Sequence, residues 1–124
     1  MKDVVSLVGR LMLCAIFVWA GINKAMAHDA TVAYFTKLAL LNPPLAYFVT
    51  VAVEALGGLA ILVGWQTRWV ALVLAIWCLA TAYVGHWNFA DRNQTIHLMK
   101  NIAIAGGFLQ LSVLGAGRWS FDKT

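Results

Sequence analysis

Four apolar blocks dominate the chain, at about Val4 to Ala25, Leu45 to Gly64, Arg68 to His86 and His97 to Leu114, separated by short polar or proline-containing breaks. Each is close to the roughly 20 residues that a helix rising about 1.5 Å per residue needs to cross hydrocarbon. A bilayer offers the backbone no water, so every block is expected to be helical, including the β-branched stretch with Val49, Val51 and Val53. The pattern predicts an all-α, four-transmembrane-helix bundle forming one domain over residues 1–124, with both termini on the same side.

The breaks carry further signals. Between Met26 and Asn42, Asp29 is positioned to cap a short helix running through Leu41, with Val32, Phe35 and Ala39 on one face; such a helix would lie along the membrane surface. Asn42 followed by Pro43 and Pro44 reads as an N-cap with proline in the first turn of the second span. The other connections, Trp65 to Thr67 and Trp87 to Ile96, are shorter. Ala25-Met26-Ala27 resembles a signal-peptidase site, but the apolar run before it exceeds a secretory h-region of about 7–15 residues and Arg10 interrupts it, so the first block is read as a retained span.

Composition agrees with the blocks: of 124 residues, 62% are hydrophobic and 11% charged, more apolar surface than a water-soluble domain of this size can hide. The net charge of +4 is spread along helix ends as ordinary interfacial anchors, which argues against a nucleic-acid partner. Lys2, Arg68, Arg118 and Lys123 share a side with the termini, against Lys24, Lys37, Arg92 and Lys100 opposite. If Lys24 and Lys100 turn into the bundle, the balance favours cytoplasmic termini. Gly57-Gly58 before Arg68-Trp69 echoes Gly106-Gly107 before Arg118-Trp119. With Ala103, these glycines are expected to mark close helix approaches.

Polar residues inside the blocks are the candidates for chemistry, since a central charge costs about 2.5–3.5 kcal/mol on insertion scales. They are Arg10, Asn23, Lys24, Glu54, His86, His97, Lys100, Asn101 and Gln110. Glu54 stands out, roughly 13 Å into its span at about 1.5 Å per residue. One reading is a structural ion pair with a buried cation, Arg10 from one face or Lys100 from the other, fixing helix register. The other is a polar pocket joining Lys24, Glu54, His86, Lys100 and Asn101, with Trp19 and Tyr83 as apolar walls. His86 and His97 lack any further ligand pattern, so neither haem nor another metal is expected. Cys14 and Cys78 form no C-x-x-C pair and read as buried hydrophobes. His28 is a spare titrating group in the first loop.

Gly9-Arg10, Gly21-Ile22-Asn23-Lys24, Glu54 with Gly57 and Gly58, Gly64, Arg68, His86, Lys100-Asn101, and Gly117-Arg118-Trp119-Ser120 with Asp122 follow one another in an order and spacing that resembles the DoxX family of small four-helix bacterial membrane proteins. The resemblance implies an inner (cytoplasmic) membrane location and a link to quinone chemistry or to oxidative-stress defence, with a soluble or membrane redox partner. It extends distantly to bundles of the vitamin K epoxide reductase type, whose paired cysteines this chain lacks. No complete catalytic set accompanies it; if catalytic, the chain would be a quinone-linked oxidoreductase subunit. The expected function is therefore a membrane subunit binding a quinone or similar lipophilic aromatic molecule. The alternatives are a non-catalytic anchor or assembly factor for a partner enzyme, or a small-solute or proton carrier acting as a homo-oligomer.

Overall fold

The structure, a computed structural model, describes residues 1–38, 42–86 and 89–122, with His86 described by its backbone alone. Among the described residues there are five helices and no strand: α1 (Lys2–Met26), α2 (His28–Lys37), α3 (Pro43–Val63), α4 (Thr67–His86) and α5 (Arg92–Leu114). Four of them, all but α2, are long and apolar enough to cross a membrane. Their outward faces carry large hydrophobic side chains such as Ile16, Val73, Ile76, Ile102 and Leu109, a surface suited to lipid rather than water.

Local chemistry accounts for the helix ends. The Asn42 side chain accepts from Leu45 N at 3.3 Å, and Pro43 and Pro44 occupy the first turn of α3, as the sequence suggests. Helix α3 stops at Gly64, whose φ of +75° forms a left-handed cap. Asp91 accepts from Asn93 N and Gln94 N and starts α5 at Arg92, one turn earlier than the hydropathy alone indicated. Lys100 and Asn101 consequently lie about two turns inside the helix instead of opening it. Asp29 falls in the first turn of α2, and Ala27 takes the cap position instead. Val32 is half-buried and Phe35 buried, as one shared face requires; Ala39 and Leu41 lie outside the described residues.

Five residues, Ala52–Leu56, form a π-helical turn in the middle of α3, with Glu54 at its centre. Such single-turn bulges widen a helix locally and recur at functional sites. Space for this one comes from α1: a methyl group on Gly21 would meet Ala55 N at 2.8 Å. The helices pair as two hairpins, α1 with α3 and α4 with α5, the latter in contact along much of their length. Small buried residues, Ala71, Ala75, Cys78 and Ala82 on α4 and Ala105 on α5, permit that approach. Backbone contact between the hairpins concentrates on Gly57–Val63 against α4, and Pro43–Val51 stands away from it. The bundle is thus tight near Gly64 and splayed toward Pro43.

Gly57, Gly58 and Gly107 do sit at close approaches, against Leu74, Val18 and Leu13. Gly106 faces open space and Ala103 is exposed, so those two belong to the outer surface.

Candidate ligand cavity

At the splayed end the helices form a half-open cavity of about 610 Å³. Helix α1 contributes Phe17 and Lys24, α2 Tyr34 and Phe35, α3 Thr50 and Glu54, α4 Trp77, Cys78 and Thr81, and α5 Asn101. The lining is mostly apolar, with polar groups from separate helices converging on it.

Glu54 is 6% exposed. Its carboxylate accepts from Lys24 Nζ at 2.6 and 2.9 Å and lies 3.4 Å from the Trp77 indole nitrogen. Helical spacing brings the ionic partners together. The inward residues of α1 run Arg10, Cys14, Phe17 and Gly21, and Lys24 extends that stripe by one further step of three. On α3 the inward set is Tyr47, Thr50, Glu54, Gly58 and Ile61. A bound pair of this kind satisfies both charges in hydrocarbon. Lys24 has three N–H donors and directs two interactions at Glu54, leaving one for another acceptor.

Arg10 is not the partner of Glu54. It lies fourteen residues before Lys24 on the same helix, about 21 Å away at ~1.5 Å per residue, beyond the reach of an arginine side chain. The guanidinium, 1% exposed, instead donates to Ile61 O at 2.9 Å, to Leu62 O at 3.3 Å and to Trp119 O. Ser6 Oγ donates to Ala116 O, and Phe121 N and Asp122 N donate to Val63 O and Gly64 O. The segment after α5 is thereby strapped across the end of the bundle where α1 begins. Asp122 completes the strap by accepting from Gln66 N at 2.7 Å and Thr67 N at 2.9 Å.

Three other expected site residues stand apart from the cavity. Trp19 and Tyr83 are 69% and 66% exposed, and Lys100 is exposed on the face of α5 beside Asn101. A step of one residue turns a helix by about 100°, so neighbours in sequence face different surroundings. Asn101 does line the cavity, its Nδ2 donating to Cys78 O at 3.5 Å. The side chain of His86 lies outside the described residues. Tyr34, Thr50, Trp77 and Thr81 were not anticipated. The signal for Thr50 was its place one turn before Glu54, whereas Tyr34 depends on how α2 folds over the bundle and had none. His28 packs edge-on against Tyr47 at 4.5 Å and pairs with Asp29 at 3.0 Å, joining α2 to α3. Cys14 and Cys78 are free and buried.

Among the described residues, four apolar spans with lipid-facing exteriors and an ion pair set between two of them define an integral membrane protein. The chain belongs to the DoxX family, whose sequence profile matches residues 5–87. It is 37% identical over 123 residues to Inner membrane protein YqjF of Escherichia coli (strain K12), covering 99% of this chain and 93% of that protein. Inner membrane protein YphA of the same organism is 34% identical, covering 98% of this chain and 91% of the relative. No solved structure matches the chain.

Proposed function

We propose that this protein is an inner-membrane subunit, associated with redox chemistry or oxidative-stress defence, that binds a quinone or similar lipophilic aromatic molecule in the cavity. The observation that carries this reading is the Lys24–Glu54 pair set into the wall of an otherwise apolar space. The volume falls in the range of about 300–1,000 Å³ typical of small-molecule sites. The uncommitted Lys24 donor can hydrogen-bond a ring carbonyl and stabilise negative charge there. Glu54 is placed to exchange an accompanying proton. A soluble or membrane-bound redox partner would supply or remove the electrons.

Titration of the detergent-purified chain with a ubiquinone or menaquinone analogue tests the reading. Wild type is expected to bind, with Glu54→Gln weakened about tenfold, the loss of one charged hydrogen bond. Equal binding by both proteins, each with an intact melting transition, would remove the ion pair from the site.

The outer face of α5 favours a second reading, an anchor or assembly role with self-association. Ala103, Gly106 and Gln110 are exposed there in succession, and a small-residue stripe with an amide suits packing against another membrane helix. Crosslinking in native membranes should then give a specific adduct that Gly106→Leu abolishes; monomer alone would count against it.

A further inference from the structure

Threonines within a membrane helix ordinarily satisfy their hydroxyl on the carbonyl four residues earlier. Thr81 and Thr95 do so here, at 2.9 and 3.0 Å. Thr50 is 7% exposed and lines the cavity, yet none of the described residues hydrogen-bonds its Oγ1. Nor is that oxygen sealed in protein as the Thr67 hydroxyl is, so the cavity is what it faces. A hydroxyl left unpaired in an apolar space costs about 1–3 kcal/mol, a cost that a hydrogen-bonding occupant would offset.

Asn101 adds a second, directional demand from the opposite hairpin. The Cys78 carbonyl can only accept, so the amide must turn Nδ2 toward it, and that contact is long at 3.5 Å. The amide oxygen is left as an acceptor on a residue that lines the cavity. Thr50 can donate or accept, and Asn101 Oδ1 can only accept. A ligand bearing a carbonyl alone satisfies the first and leaves the second unpaired, whereas a ligand bearing a hydroxyl can satisfy both.

We propose that Thr50 and Asn101 are ligand-contacting, specificity-determining residues, and that the cavity takes a hydroxyl-bearing lipophilic ring, a hydroquinone or phenol, in preference to its carbonyl counterpart. This rests on the reading that the cavity binds a lipophilic aromatic molecule, and names the form it selects.

The test compares Kd values for a short-chain ubiquinol analogue, the corresponding quinone and the quinol dimethyl ether, on full-length chain in mild detergent. Wild type should bind the quinol about five- to tenfold more tightly than the ether, the effect of one hydrogen bond, with the quinone between them. Thr50→Val, equal in shape, should weaken quinol and quinone about five- to tenfold and the ether, a weaker acceptor, less; Thr50→Ser, which keeps the hydroxyl, should retain quinol affinity. Asn101→Leu should narrow the quinol preference over quinone. Wild type that binds all three compounds equally, or quinol affinity unmoved by both Thr50→Val and Asn101→Leu, overturns the proposal while leaving the cavity as a binding site. Failure of wild type to bind any of the three overturns the underlying reading as well.

Discussion

The two ends of the bundle bury cations in opposite ways. At the tight end Arg10 forms no ion pair with a described carboxylate, although its charge is felt at Asp122; backbone carbonyls at the C-terminus of α3 and in the terminal strap surround it. Ile61 O and Leu62 O lie in the last turn of α3, where the negative pole of the helix dipole falls, and Trp119 O comes from the strap. At the splayed end Lys24 is paired with an acid, and one side of the pair faces a cavity. The first arrangement directs both terminal guanidinium nitrogens at main-chain carbonyls that close the fold, leaving Arg10 Nε and the Thr67 hydroxyl sealed in protein. The second leaves a Lys24 donor uncommitted beside the cavity, the feature on which the proposed binding role rests.

That contrast breaks most sharply at Arg10. Arg10→Met preserves much of the stem but strands the Leu62 and Trp119 carbonyls, Ile61 O still accepting from Gly64 N, at about 1–3 kcal/mol for each left unsatisfied. A loss of about 3 kcal/mol or more is expected in detergent unfolding, with the strap released to proteolysis. A loss under about 1 kcal/mol would show that water replaces the guanidinium and that the end is not sealed. Gly64→Ala attacks the same closure through the backbone. The new methyl would sit 2.2 Å from Ser120 Cβ at a φ of +75°, a combination expected to cost about 1–3 kcal/mol. At the splayed end Glu54→Gln should cost less stability, about 1–2 kcal/mol, because Lys24 is partly exposed, while ligand binding falls. Reversal of this order, with Glu54→Gln more destabilising than Arg10→Met, would make the ion pair the structural lock.

Much of this was legible as periodicity. The apolar blocks announced the spans because hydrocarbon thickness fixes their length. The inward stripes on α1, α3 and α5 follow helical spacing closely enough that Lys24, Thr50, Glu54 and Asn101 fall on them and Trp19 and Lys100 do not. Reading depth without azimuth grouped Trp19 and Lys100 with Lys24, Glu54 and Asn101 and passed over Thr50. Arg10 was one of two cations, with Lys100, expected to reach Glu54 from a membrane face, although axial distance rules that pair out; its real partners are main-chain carbonyls, which leave no mark in sequence. The cavity was not legible, because it arises from the angle between two hairpins and from the fold-back of Tyr34 and Phe35 on α2. The π turn was equally silent, although Gly21 and Gly58 supplied the close approach that accommodates it.

The smallest predicted effect sharpens the comparison at the strap itself. Burial opposes ionisation of Asp122, but N–H donation from Thr67 and Gln66 and the charge of Arg10 outweigh it and hold the carboxyl below its usual range. The Thr67 hydroxyl also favours the anion, although it makes no hydrogen bond of ordinary geometry, so the two backbone donors at the N-terminus of α4 carry most of the effect. A carboxyl whose folded pKa is depressed stabilises the fold fully above its unfolded value of 3.8. That contribution declines as pH drops below this value and is gone once the folded pKa has been passed. Wild type should therefore melt higher than Asp122→Asn at neutral pH, and the gap should close as the medium is taken from about pH 6 to pH 2.5. Comparison with Asp122→Asn isolates this carboxyl, because every other group is common to both proteins. A gap that stays constant across the range would mean that Asp122 acts through its shape alone, and that the closed end is held by Arg10 without help from this charge.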